Sequence, residues 1–553
     1  MSALALAVLL GASTAVRAED KSAEKKQPVL VVSLSGYDQI RSDLEWLGKL
    51  GNNSELAAQA EAGLKGILGV ENLDGLDKTR PWGLVIETAN DEFTGYGFLP
   101  VTDLKKLLKT FEERVGEPKE ADKGVQEIDV EGRTMFVKGV NGWAFISTSP
   151  DALANVPKDP VKLLDGLNTT YDVGVRVIVK NIPQMTRQTL LLPIQMGVQM
   201  GMERQPGETD EQFALRNKMA QDAMEQLSAM INDLDTLVVG LALDPKGAVG
   251  RFEYSVTAVP GTKTAEQFAQ AKAQKTQFAG FQQAEAALSV VAASQLGDRD
   301  VAQTKLAIET RKTQAVAELE KQGLGDEEMK LAKRLINDLA DVVQKTIEGK
   351  QWDGGAVVFL DADRLTVVAG SVVADTAKVE QLIKDLATQA AKDQPELAAA
   401  IKMNAEQHQG YRFTRIAVPT SQLGQAADLS KFVGDTLEVI IALGEKNVYV
   451  SAGRDAAKTL KQVIDKSRAE AGKTIPPMVM VVAGKPIARF AQAAAEADKD
   501  KAQAKKILDL LQKSEAKDQV SVTSSPMPNG VQVRVEAQEG ILRILGALPT
   551  LTK

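Results

Sequence analysis

The sequence of 553 residues has no cysteine and a single histidine, His408, and only 4% of it is aromatic. Without thiols there is no disulfide, no thiolate nucleophile and no cysteine-bound zinc. One imidazole cannot supply a two-histidine metal face. It could serve as the base of a Ser-His-Asp triad, but no G-x-S-x-G elbow accompanies it. Its setting, Asn404-Ala405-Glu406-Gln407-His408-Gln409-Gly410, reads as a polar link ahead of a strand at 411–418, so a solvent-exposed His408 is expected. The scarcity of rings predicts an aliphatic core that gains little from ring stacking. Acidic residues outnumber basic ones for a net charge of −8, with the signs interspersed. Such a chain repels phosphate backbones, and nucleic acid is not an expected partner. Past the first residues no run approaches the ~20 apolar residues of a spanning helix, so no transmembrane segment is expected in the mature chain.

What is present is the balance of a folded protein, 44% apolar and 25% charged. The length exceeds what one core organises, and two or more domains are expected. Residues 4–10 form an apolar run, and Val16-Arg17-Ala18 places small residues at the −3 and −1 positions of a cleavage site before Glu19. This reads as a secretory leader at 1–18, followed by a Lys-rich linker at 19–27. The alternative is a hydrophobic N-terminal helix. With a leader, the expected location is the periplasm or the exterior.

Internal similarity is the most informative signal. Trp82-Gly83-Leu84-Val85-Ile86-Glu87 opens a hairpin returning through Gly95-Tyr96-Gly97-Phe98-Leu99-Pro100, and Trp352 opens another that turns at Asp361-Ala362-Asp363. Each leads to a helix with apolar residues at i, i+3, i+4 and i+7: Leu104, Leu107, Leu108 and Phe111, against Val379, Leu382, Ile383 and Leu386. Gly142 to Ser147 then matches Asn447 to Ser451, each ahead of a helix start. In the first, Ser149-Pro150 has the chemistry of a cap followed by a preset φ. Strands at 173–179 and 478–482 match next, and then two terminal hairpins, the second turning at Pro528-Asn529-Gly530. Strand 29–34 finds a weaker partner at 287–293. Four matches in one order predict an α+β fold made by tandem duplication of a unit with an antiparallel sheet and helices packed on one face, copy one at 28–275 and copy two at 276–553. Two unrelated α+β domains of similar size are the alternative.

Between the matched pieces the copies differ. Residues 301–350 are rich in Ala, Lys and Glu, with Lys305, Glu309, Arg311, Glu318 and Lys321 spaced among apolar residues, and read as a solvated helical hairpin. A partner-binding coiled coil is the alternative. Copy one instead carries a methionine-rich stretch including Met185, Met196, Met200, Met224 and Met230. Apolar residues at helical spacing usually meet their sheet, so core packing is expected of them. A flexible apolar ligand groove is the sharper alternative. The loop at 205–210 reads as exposed.

Carboxylates are numerous without forming a motif. Asp74, Asp77, Asp361 and Asp363 sit at turn signals, and neither cluster has the twelve-residue calcium loop with its terminal Glu. Gly95-x-Gly97 and the glycines at 434–444 lack the lysine of a phosphate loop and read as strand and turn glycines. No cofactor, metal site or catalytic residue is nominated.

The order of leader, short strand, helix, Trp-led hairpin, helix, hairpin, the STSPDAL segment at 147–153 and a terminal hairpin resembles a group of large secreted proteins of planctomycete-type bacteria with no established activity. The resemblance implies an envelope location and carries over no functional residue. The functional expectation is an exported, non-enzymatic envelope protein with a binding or structural role, whose partner is another envelope component or an apolar ligand. The alternatives are a periplasmic carrier of lipid or another apolar ligand, with the methionine-rich helices at 185–230 as its lid, and a carboxylate-dependent hydrolase.

Overall fold

The structure, a computed structural model, describes residues 26–551 except 90, 131, 201–203, 205–209, 322–324, 394–399, 423–428 and 515–516. The leader, most of the linker and the loop at 205–209 lie outside the described residues. The chain is α+β and divides into two compact units, residues 1–265 with 542–553, and residues 266–541.

Unit one holds β1 (Gln27–Leu34), β2 (Trp82–Ala89), β3 (Glu92–Pro100), β4 (Lys119–Glu120), β5 (Val125–Val130), β6 (Arg133–Val140), β7 (Trp143–Ser147), β8 (Val173–Ile178), β9 (Leu234–Asp244) and β10 (Val249–Ala258). They form one antiparallel sheet in the order β10-β9-β8-β1-β2-β3-β7-β6-β5-β4. Helices α1 (Tyr37–Leu50) and α2 (Leu56–Leu68) follow β1, α3 (Leu104–Val115) follows β3, and α4 (Gln184–Met200) and α5 (Asp210–Asp233) join β8 to β9. Helix α3 begins at Asp103, whose carboxylate accepts the Lys106 amide, and its Leu107 and Leu108 are buried. Successive strand residues face opposite sides. Ala144 accordingly joins the cluster of Leu107 and Leu108, while Phe145 joins that of Phe98 and Leu153.

Unit two contains β11 (Gln274–Thr276), β12 (Leu288–Gln295), β13 (Gln351–Asp361), β14 (Arg364–Val372), β15 (Ile401–His408), β16 (Tyr411–Pro419), β17 (Thr436–Leu443), β18 (Asn447–Gly453), β19 (Lys473–Ile475), β20 (Met478–Ala483), β21 (Gln519–Met527) and β22 (Gly530–Gln538). Strands β11 and β19 pair separately. The others run β22-β21-β20-β12-β13-β14-β18-β17-β16-β15, all antiparallel. The first strand of each sheet is fourth from one edge, and every later strand takes the same place in both. Helices α6 (Asp298–Glu320) and α7 (Asp326–Glu348) follow β12, α8 (Thr376–Asp393) follows β14, α9 (Ala456–Ala469) follows β18, and α10 (Gly484–Ala494) and α11 (Asp498–Gln512) join β20 to β21.

Four expectations change. The helical hairpin of copy two and the methionine-rich helices of copy one are not insertions peculiar to one copy. Both units carry a helix pair at both places, of 14 and 13 then 17 and 24 residues in unit one, and of 23 and 23 then 11 and 15 in unit two. Ser149 caps no long helix. Its side chain makes no capping bond, and the chain runs through 3-10 turns at Pro150–Leu153 and Pro160–Leu164. Prolines lacking an N–H and Asp165 in the left-handed region stop a helix from propagating there. The last hairpin turns at Pro528-Asn529, with Asn529 at φ 53, and Gly530 already pairs with Met527. Proline presets the first turn position and Asn tolerates the left-handed second, so glycine is not needed.

The fourth change concerns the cores. Rings are few but central: Phe278, Phe281, Phe413 and Tyr449 are fully buried, and Phe281 stacks on Tyr449 at 6.0 Å with an interplanar angle of 2°. In unit one Phe98 meets Trp143 edge-on at 5.6 Å. A cross-strand glycine makes room for a ring in each sheet. A Cβ on Gly83 would lie 2.2 Å from the ring of its partner Phe98, and one on Gly370 2.6 Å from that of its partner Tyr449.

Candidate functional site

Unit two contains a cleft of about 550 Å³ between the end of its sheet and α9. The sheet side comes from β15, β16 and β17. Phe413 pairs across to Ala442 and Arg415 to Ile440, so these residues share one face, with Glu438 diagonal to Arg415. On the outer strand, pairing slips between Lys402 and Glu406, and Asn404 takes φ 49. This bulge sets the path of β15 so that Glu406 lies opposite Phe413 and His408 opposite Tyr411. The other wall is one stripe of α9, Ala457, Lys461 and Asp465 at i, i+4 and i+8, flanked by Lys458 and Gln462. The neighbouring stripe, Leu460, Val463 and Ile464, is buried and anchors the helix. An amphipathic helix thus lays its polar flank over an apolar floor.

Ion pairs ring that floor. Lys461 Nζ lies 2.6 Å from Glu406 Oε2, and Arg415 Nε 2.7 Å from Glu438 Oε1. The other oxygen of Glu438 accepts the Ala457 amide at 3.2 Å. It satisfies a free N–H in the first turn of α9, where Asp455, in the left-handed region, makes no cap bond of its own. His408 Nε2 stands 2.7 Å from Asp465 Oδ1. A carboxylate only accepts, so Nε2 carries a proton and donates it to Asp465. Arg468 of the same helix donates to the Gln409 carbonyl and ties down the turn beyond.

His408 is therefore not a solvated residue of a polar link. It ends strand β15, its side chain is three-quarters covered, and the turn is Gln409-Gly410, both at positive φ. The polar composition of 401–408 hid the strand because an edge strand has little apolar surface to bury. Two signals were available: the Gln-Gly turn between paired strands, and the polar i, i+4, i+8 stripe beside the buried one on α9. Among the nominated methionines, Met185, Met196 and Met200 stand 78%, 62% and 76% exposed, Met230 is exposed and Met224 is half-buried. Core packing is thus not what the α4 methionines do. With Leu192 they share one side of α4 by helical spacing, while Leu191 is buried on another. No family model, curated protein or solved structure matches this chain.

Two of the nominated aspartates, Asp77 and Asp361, serve local structure. Asp77 accepts from the Thr79 amide and hydroxyl and from Arg80, and Thr79 chiefly holds its carboxyl below the usual range. Asp361 accepts the Ala362 amide and pairs with Arg489. Among the described residues no group of three or more His, Cys, Asp or Glu is placed to hold a metal, and no helix is long and apolar enough to cross a membrane. Four buried carboxylates among the described residues, Asp43, Glu253, Asp353 and Asp518, escaped the sequence reading. Asp43 of α1 is 3% exposed and has the Gln39 amide, at 3.0 Å from both oxygens, against it; burial pushes its pKa up to about 6. Asp353 of β13 is as deeply buried but accepts from the Thr276 hydroxyl at 2.6 Å and the Gln277 amide at 2.8 Å. Burial raises its pKa too, against the pull of those two bonds.

Proposed function

We propose that this is an exported envelope protein that binds a ligand without transforming it, and that the ligand occupies the cleft of unit two. One observation carries the reading: every carboxylate in the cleft already has a cation or imidazole against it, and no side chain lining it bears a hydroxyl or thiol that could be acylated or phosphorylated. Export rests on the leader at 1–18 and on the resemblance to secreted planctomycete-type proteins. The shared strand order of the two sheets supports descent by duplication, with the cleft arising in the second copy.

Native mass spectrometry of the chain purified from its own cells tests this. A small molecule retained by the protein and lost from Arg415→Ala is the expected result. A bare chain that hydrolyses an ester or glycoside probe, with activity lost in His408→Ala, overturns it in favour of the hydrolase.

A second reading is favoured by the exposed side of α4, which presents Met185, Leu192, Met196 and Met200. Flexible, polarizable side chains in the open suit an apolar partner or acyl chain. Copurified lipid that survives Arg415→Ala and is lost on replacing Met196 and Met200 by Glu would favour that carrier.

A further inference from the structure

We propose that the cleft ligand is a neutral saccharide, a proposal that rests on the cleft being a binding site. The charges within it cancel. Arg415 faces Glu438, Lys461 faces Glu406, and the His408 ring faces Asp465. An anionic ligand at Arg415 or Lys461 would have to displace a carboxylate from its cation and leave that carboxylate unpaired, and a cationic ligand at Glu406 or Glu438 would do the reverse. A hydroxyl needs neither. It donates to a carboxylate and accepts from an ammonium, guanidinium or imidazole N–H at the same time, so it adds to an ion pair without leaving a charge behind.

Three such pairs, Lys461–Glu406, Arg415–Glu438 and His408–Asp465, stand around one floor and alternate donors with acceptors. The accessible apolar surface comes from Ala405 and Ala457, laid over Ile440 and Phe413, which are buried beneath. That is a surface for the C–H face of a sugar ring, encircled by partners for its hydroxyls. A volume of about 550 Å³ lies within the range of small-molecule sites and admits a short oligosaccharide. Lys458, exposed and without an ion pair among the described residues, stands at the mouth.

The test is calorimetric titration of the full mature chain with maltose, cellobiose and chitobiose, and with inorganic phosphate and dialanine as charged probes. At least one neutral disaccharide is expected to bind, phosphate and dialanine are not, and Glu406→Gln and Lys461→Met are each expected to weaken that binding about tenfold. Both residues are half-exposed, and unchanged thermal melting of the variants checks that the fold is kept. If phosphate or dialanine binds instead and Lys461→Met weakens it, the saccharide assignment fails while the cleft remains a binding site. If no probe binds, or binding ignores both substitutions, the saccharide and the cleft fall together.

Discussion

The two units build the same ten-stranded order, and the connection after the seventh strand of each sheet is where they differ in kind. After β18 the chain makes α9, whose buried stripe of Leu460, Val463 and Ile464 holds a polar flank over the sheet. After β7, in the same place in unit one, it makes short turns around Pro150 and Pro160 that only fill the core with Leu153 and Leu164. The outer strand differs as well, eight residues in β15 against two in β4. In unit two a helix stands over the sheet where unit one has only short turns. The cleft of unit two thus owes its second wall to the connection after β18, not to the strand order common to both units.

The largest effect should come from removing the anchors of those connections. Leu460→Ala and Leu153→Ala each excavate a fully buried site and should each cost about 3 kcal/mol in urea unfolding. Only Leu460→Ala should also abolish cleft binding, by letting α9 drift. Equal loss of binding in both variants would break the contrast.

The buried carboxylates sharpen it next. Asp43 moves from the ordinary 3.8 to about 6 on folding, so the folded state holds its proton more tightly than the unfolded one. The resulting penalty is absent near pH 4, grows up to pH 6 and is complete above it. Asp43→Asn should therefore stabilise the protein at pH 8, by on the order of 2–3 kcal/mol, and do nothing near pH 4. Asp353→Asn should gain less than Asp43→Asn at pH 8, because an amide NH₂ cannot accept from both Thr276 and Gln277 and the lost bond offsets the relief of burying a charge. Thermal unfolding of both variants at pH 4, 6 and 8 checks the order.

The smallest effect belongs to the surface. Lys305 and Glu348 pair at 2.5 Å across the α6–α7 hairpin, both well exposed. Lys305→Ala should change stability by less than about 0.5 kcal/mol, with the difference fading in high salt. A larger loss in the melting curve would mean that this hairpin owes more to charge than the shorter α1–α2 pair does.

Much of the fold was legible because its signals are local. Trp82 and Trp352 open equivalent hairpins, and the stripes of Leu104 to Phe111 and Val379 to Leu386 lie on helices. The helix pairs were harder to equate, since four different lengths and compositions conceal a shared position between strands. Ser149-Pro150 misled because a cap can start a helix but not carry it past further prolines. The cleft was nearly invisible. Its residues come from β15, β16, β17 and α9, and what joins Glu406 to Lys461 or His408 to Asp465 is sheet order rather than spacing along the chain.

Strand β15 closes the second sheet, and among the described residues it pairs with β16 alone. An open row of amides ordinarily invites a strand from a neighbouring molecule. Here the row is interrupted by the bulge at Asn404 and flanked by the charges of Lys402 and Glu406. A bulge and an exposed lysine on an edge strand both disfavour the addition of a further strand at this margin.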